Sequence, residues 1–210
     1  AFLFQGKYAY MNSRTALRKI IRERRNKLST VDQQQASELI LQRLSTHPKV
    51  QPAQTIALYL ANDGELDPIL FIEWCWQQNK QVYLPVLHPF CSGHLLFILF
   101  EDSSIMIKNH YGIFEPKLEV SKVCPLDQLD VLCTPLVAFD NSGARLGMGS
   151  GFYDRTLANW QQHQVYPIGL AHNCQQVDKV PVEYWDIPLP EILTPTRSHH
   201  FKIESNEQKK

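Results

Sequence analysis

Several features that would assign this chain quickly are missing from it. The five cysteines (Cys75, Cys91, Cys124, Cys133, Cys174) are odd in number and scattered, and none forms a CxxC pair. Neither a zinc knuckle nor a disulfide framework is suggested, and buried thiols in a reducing cytoplasm are the plain expectation. Charge of one sign is also lacking, since Lys+Arg and Asp+Glu stand at 21 each. The balance gives no reason to expect nucleic acid or a membrane surface as partner, so attraction for an anion must come from a local cluster. No apolar run approaches the roughly 20 residues that span a bilayer. The opening ten residues have neither the charged leader nor the apolar core of a signal peptide. The eight histidines show no HxH or HExxH pattern, and there is no GxSxG elbow, internal repeat or low-complexity linker. Metal-centred hydrolysis and a serine triad are thereby disfavoured.

What is present is a chain of 210 residues with 44% hydrophobic content, enough for a sizeable core. One domain over residues 13–197 is expected. Residues 1–10 precede Met11 and read as an upstream extension or an expression remnant, and 198–210 as a polar, frayed tail. Leu17, Ile20, Ile21 and Leu28 fit one face of a helix over 13–28. Ser29 and Asp32 start a second helix carrying Leu39, Ile40 and Leu44, and Asp67-Pro68 starts a third reaching to about Gln78. Strands are expected at 55–60, 81–86, 95–100, within 129–139, at 166–171 and at 191–194, with a helix over 152–163. Strands alternating with helices indicate an α/β fold: three layers, Rossmann-like, with a mostly parallel sheet and helices on both faces.

The densest signal is Pro135-Leu-Val-Ala-Phe-Asp140, followed by Gly143-Ala-Arg-Leu-Gly-Met-Gly-Ser-Gly-Phe-Tyr-Asp-Arg155. An apolar strand runs into a turn, an arginine and three alternating glycines (Gly147, Gly149, Gly151). The spacing matches neither the dinucleotide fingerprint nor a Walker A loop. An ordinary glycine-containing turn is the plainer alternative, but alternating glycines flanked by Arg145 are more than a turn requires. Glycines let the backbone approach a ligand, and a helix start beyond them favours an anion, so the loop looks built for phosphate. Arg145 suits bidentate phosphate contact.

Asp154 could merely complement a helix dipole, worth roughly 0.3–1 kcal/mol. Beside a bound phosphate, however, a carboxylate at ~4 Å would be opposed by about 4 kcal/mol at an effective dielectric of 20. Mg²⁺ is the natural intermediary, so loop and Asp154 together point to a Mg-nucleotide. Arg14, Arg18 and Arg22 recur every four residues; they are either a solvated face or, for Arg14 and Arg18, phosphate ligands. Glu65 follows a strand end in Asn62-Asp-Gly-Glu-Leu-Asp67, where a functional carboxylate would accept paired N–H donors such as the amide and amino edge of a pterin.

The glycine signature resembles that of the 5-formyltetrahydrofolate cyclo-ligase family, also called 5,10-methenyltetrahydrofolate synthetases, in its bacterial branch. The resemblance runs over residues 13–195 and includes Arg14-Thr-Ala-Leu-Arg18, Gly64-Glu-Leu-Asp67, Tyr83-Leu-Pro85, Glu115-Pro116 and Val180-Pro-Val with Asp186. It implies an ATP- and Mg²⁺-dependent ligase that converts 5-formyltetrahydrofolate to 5,10-methenyltetrahydrofolate and releases ADP and phosphate. Carried over by position, Arg14, Arg18, Arg145, Leu146, Gly147, Met148, Gly149, Ser150, Gly151, Phe152 and Tyr153 would hold ATP. Arg145 and Arg18 would serve catalysis, and Asp154 would hold Mg²⁺. Glu65, Leu60, Leu87, Met148 and Phe152 would hold the folate. Other members carry lysine where Arg14 stands, and lysine or glycine where Ser150 stands. Asp186, a second acidic contact or a structural cap, is left outside the metal site. The implied protein is a cytoplasmic monomer acting on small molecules, with no nucleic-acid or membrane partner. The rivals are a folate-binding or storage protein without turnover and a sugar-phosphate or CoA enzyme on a similar sheet.

Overall fold

A computed structural model describes residues 13–203; the expected extension at 1–10 and the tail from 204 onward lie outside the described residues. Among the described residues there are four α-helices: α1 (Arg14–Asn26), α2 (Thr30–Ser45), α3 (Ile69–Gln77) and α4 (Phe152–Thr156). Ser13 caps α1, its side chain accepting from the Ala16 N–H, and Ser29 with Asp32 closes a reciprocal capping box on α2. Asp67 accepts from the Ile69 N–H at 3.0 Å and sets the entry to α3.

Among the described residues the main sheet has eight strands. In sheet order these are β12 (Ser198–His200), β11 (Glu191–Leu193), β10 (Tyr166–Leu170), β7 (Val131–Pro135), β1 (Thr55–Ala57), β2 (Gln81–Leu87), β3 (Leu95–Leu99) and β6 (Val123–Cys124). The five central strands, β11 through β2, run parallel, while β12, β3 and β6 pair antiparallel at the two edges. Side chains alternate across the sheet as strand geometry requires. Ile56, Val82, Leu84, Val131, Cys133, Ile168 and Leu170 meet Ile40 and Leu44 of α2 and Phe71 and Ile72 of α3 on one face. Ala57, Tyr83, Leu132 and Ile192 face the other way, onto Leu157, Leu189 and Phe139. This second layer is thinner, with α4 and irregular chain supplying most of it. Two ribbons flank the sheet: β4 (Met106–Lys108) with β5 (Phe114–Pro116), and β8 (Ala138–Phe139) with β9 (Arg145–Leu146). Leu17 and Ile21 of α1 pack on Val137, Ala138 and Leu146 of the second ribbon.

Three local expectations change. The apolar stretch within 129–139 breaks into β7 and β8. The helix expected over 152–163 stops at Thr156, because Leu157 turns into the core and the chain continues as a 3-10 turn at Trp160–Gln162. The polar end after Arg197 is not frayed at its start: Ser198–His200 adds β12 to the sheet, and the buried His199 ring lies 5.0 Å from that of Phe139. Backbone pairing at a sheet edge needs no apolar pattern, so composition concealed it.

Candidate active site

The carboxyl ends of β1, β2 and β7 open into a cleft of about 460 Å³, the place where open parallel sheets collect ligands. Leu60 follows β1, Leu84 and Leu87 come from β2, and Leu136 follows β7. The β4–β5 ribbon adds Tyr111 and Phe114, and the glycine segment closes the rim. All five substrate-side residues named from the sequence, Glu65, Leu60, Leu87, Met148 and Phe152, line this cleft. So do Arg145, Gly147, Ser150, Gly151, Tyr153 and Asp154. Leu146 instead lies buried beneath the loop against α1.

The glycine loop follows the β8–β9 hairpin. Asp140 shapes the hairpin turn: Oδ1 accepts from the Ser142 N–H at 2.8 Å, and Oδ2 accepts from the Val180 N–H at 2.8 Å. Beyond β9 the loop needs glycine at Gly149 (φ +112°) and Gly151 (φ +69°), both in conformations closed to most side chains. Among the described residues, none of the N–H groups of 147–151 donates to a main-chain or side-chain acceptor, so each remains a donor for a ligand. The helix they lead into is only five residues long, so its dipole adds little.

The basic stripe of α1 divides. Arg14 forms a two-pronged pair with Asp186 and also donates to the Pro181 carbonyl at 3.0 Å. Arg18 reaches the loop, its Nε donating to the Gly147 carbonyl at 2.8 Å. Arg22 turns away to Asp63 at 2.5 Å. Hydrogen bonding to Asp186 raises the Arg14 pKa, whereas burial, with Arg14 nearby, lowers that of Arg18.

Arg145 is 3% exposed. Its Nη2 donates to Asp154 Oδ1 at 2.7 Å and its Nε to the Ile187 carbonyl at 3.2 Å. Burial lowers its pKa, with Asp154 and Asp186 acting against that shift. Asp154 Oδ1 also accepts from the Ile187 N–H at 3.2 Å. Both contacts fall on one carboxylate oxygen. Among the described residues no group of three or more His, Cys, Asp or Glu side chains is placed to hold a metal ion.

Glu65 sits on a tight turn whose central residues, Asp63 (φ 51°) and Gly64 (φ 71°), both have positive φ, closed by the Glu65 N–H to the Asn62 carbonyl at 3.0 Å. Its Oε2 accepts from the Asn62 N–H at 3.1 Å. Burial pushes its carboxyl from 4.5 up to about 6, with Arg25 pulling the other way. Arg25 was not legible as a site residue: it belongs to a run of arginines that reads as solvated. Its signal was position, because it lies four residues beyond Ile21 on the apolar stripe of α1, where a charge needs a reason. Glu115, named in the resemblance without a role, accepts through Oε2 from the Leu87 N–H at 3.2 Å and from Asn109 Nδ2 at 3.0 Å, tying the β4–β5 ribbon to the end of β2.

Comparisons with known proteins identify the family and the fold. The family model described as the 5-formyltetrahydrofolate cyclo-ligase family matches residues 10–195. A 5-formyltetrahydrofolate cyclo-ligase of Escherichia coli is 53% identical over 178 residues, covering 85% of this chain and 98% of that protein. One from Haemophilus influenzae is 49% identical over 180 residues, covering 86% and 96%. The solved structure of an Aquifex aeolicus 5,10-methenyltetrahydrofolate synthetase superposes with a TM-score of 0.76 at 26% identity, covering 93% of this chain and 98% of that one. With the glycine loop, Arg145 and Glu65 gathered on one cleft, and the match running through all of them, this chain is an enzyme of the 5-formyltetrahydrofolate cyclo-ligase family.

Proposed function

We propose that the cleft converts 5-formyltetrahydrofolate to 5,10-methenyltetrahydrofolate at the expense of Mg-ATP, releasing ADP and phosphate. The observation that carries this reading is the presence, on one cleft, of the donor-only N–H groups of 147–151 and the largely buried acceptor Glu65. The first suits an anionic phosphate chain, the second the N–H edge of a pterin. A formamide oxygen is a poor leaving group. Transfer of the γ-phosphoryl group to that oxygen breaks the terminal P–O bond of ATP and leaves an electrophilic iminium carbon. Folate N10 attacks this carbon, loses its proton, and phosphate departs as the ring closes. No protein nucleophile is required, so catalysis rests on positioning and on charge neutralisation.

In this reading the loop amides and Arg18 hold the phosphates, with Arg14 beside them. Arg145, whose Nε and Nη2 are already fixed, offers Nη1 to a ligand oxygen. Asp154 fits a Mg²⁺ that arrives with the nucleotide: one oxygen is held by Arg145 and the other is left for the ion. Such an ion takes one or two carboxylates and completes its shell with phosphate oxygens and water, which suits a site without a three-carboxylate cluster. When bound, Mg²⁺ offsets the phosphate charge that Asp154 would otherwise oppose. Leu60, Leu87, Met148 and Phe152 offer the folate ring system an apolar bed. We place the enzyme in the cytoplasm as a monomer, in keeping with its free cysteines.

Mixing the protein with Mg-ATP and 5-formyltetrahydrofolate is expected to produce the near-ultraviolet band of the methenyl product, and omitting ATP or metal is expected to abolish it. Tight folate binding with no band under any condition would replace this reading with the storage protein.

A further inference from the structure

Behind the cleft, α1 makes a bed for the turn that carries Glu65. Arg25 is wholly buried there. Its Nε donates to the Asp63 carbonyl at 2.7 Å and its Nη2 to Asp63 Oδ2 at 3.0 Å, while Nη2 also stands 3.9 Å from Glu65 Oε1. Asn26 Nδ2 donates to Asp63 Oδ1 at 3.1 Å, and a Cβ on Gly64 would come within 2.4 Å of Asn26 Oδ1. The turn is thus pressed onto the end of α1. Arg25 Nη1 has no protein partner among the described residues. A buried guanidinium is expensive unless its charge is compensated, and here the compensation comes from Asp63 and, facing the cleft, Glu65.

We propose that Arg25 is a positioning residue for Glu65, fixing the turn that presents this carboxylate and supplying the positive charge that faces it from behind. The proposal rests on the folate reading of Glu65. A carboxylate accepts two N–H donors only when ionised, and burial works against ionisation at this site. Among the described residues, the other groups around Glu65 do not supply a cation. Asp63, on the same turn, is itself anionic and favours the neutral form of Glu65. Tyr59 after β1 and Tyr153 of α4 are phenols driven well above their usual range by burial, with Glu65 adding to the shift. His172, after β10, is held down to about 4 by burial, so it is neutral. Arg22 spends its charge on Asp63 at the surface. Arg25 is therefore the cation that Glu65 meets.

The test uses Arg25→Met and the charge-keeping Arg25→Lys, each checked for folding by circular dichroism. Two readouts are followed: the ¹³C carboxyl shift of Glu65 against pH, and the pH profile of kcat/KM for 5-formyltetrahydrofolate. Removing an opposite charge at this distance moves a carboxyl by about one pH unit or more. In Arg25→Met the Glu65 titration is expected to rise by that amount. The acid limb of the folate profile should follow it, while KM for ATP at pH 8 stays within twofold. Arg25→Lys is expected to restore the limb but not the full folate affinity, because the fork on Asp63 is lost. An unmoved Glu65 titration overturns the proposal. A moved titration with an unmoved folate profile upholds the Arg25–Glu65 coupling and instead overturns the folate placement of Glu65. If Arg25→Met does not fold, Arg25→Lys decides: KM values for folate and ATP rising together would make Arg25 merely structural.

Discussion

Asp154 answers to two demands at once. The sequence suggested a carboxylate free to take a metal ion, with only a dipole contribution to stability. The structure makes it the partner of a buried guanidinium as well. Removing one member of a buried pair typically costs about 3–5 kcal/mol. Asp154→Asn is therefore expected to lower the melting temperature of the unliganded enzyme and also to abolish the extra thermal protection that Mg²⁺ gives over ATP alone. A melting curve matching wild type would remove the ion pair from the stability account, and retained Mg²⁺ dependence would remove Asp154 from the metal site. Glu65 shows the opposite economy. Its pKa rises from 4.5 to about 6, so the folded state holds the proton more tightly than the unfolded chain does. Below the lower value the group is neutral in both states; above the higher one it is ionised in both and destabilises the fold by about 2 kcal/mol. Glu65→Gln is expected to melt higher than wild type at pH 8 and the same at pH 4. KM for the folate should rise on the order of tenfold or more through the lost charged acceptor, with KM for ATP spared. A lower melting point at pH 8 would contradict the sign.

Among the elements, α1 does most to assemble the site. Its apolar stripe was legible from Leu17 and Ile21, and its arginine repeat was visible too, but not how the repeat divides. Arg18 reaches the glycine loop, Arg14 the 181–186 segment and Arg22 the Asp63 turn, because each partner is brought up by a different part of the chain. The turn before Glu65 belongs to this scale as well. Gly64→Ala would strain a positive-φ residue and drive a Cβ into Asn26. We expect a loss of about 1–3 kcal/mol in chemical denaturation together with weakened folate binding. Unchanged stability would mean that the turn relaxes freely and does not fix Glu65. Short elements were the least readable. The start of α4 was read at Phe152 but not its end at Thr156, and three-residue β12 carries too few periodic positions to declare itself; such ends are set by what they pack against.

At the scale of the whole molecule, the parallel centre of the sheet lies where alternating strands and helices indicated, and both its faces are buried. The antiparallel edge at β12 was unforeseen. Ending the chain at Arg197 is expected to cost about 2–4 kcal/mol, from ladder hydrogen bonds at about 1 kcal/mol each and the contact of His199 with Phe139. A truncated protein that melts like the full chain would show β12 to be dispensable. The chain by itself determined what depends on local spacing: the amphipathic helices, the central strands, and a loop whose glycines are needed by its own backbone. Only the tertiary structure decided which charges meet. Arg145 with Asp154 spans nine residues, but Arg14 with Asp186 spans 172, and Arg25 with Glu65 links a helix end to a turn after the first strand. Charge pairing depends on distance in space and on exclusion of water, and neither exists until the sheet has brought those segments together.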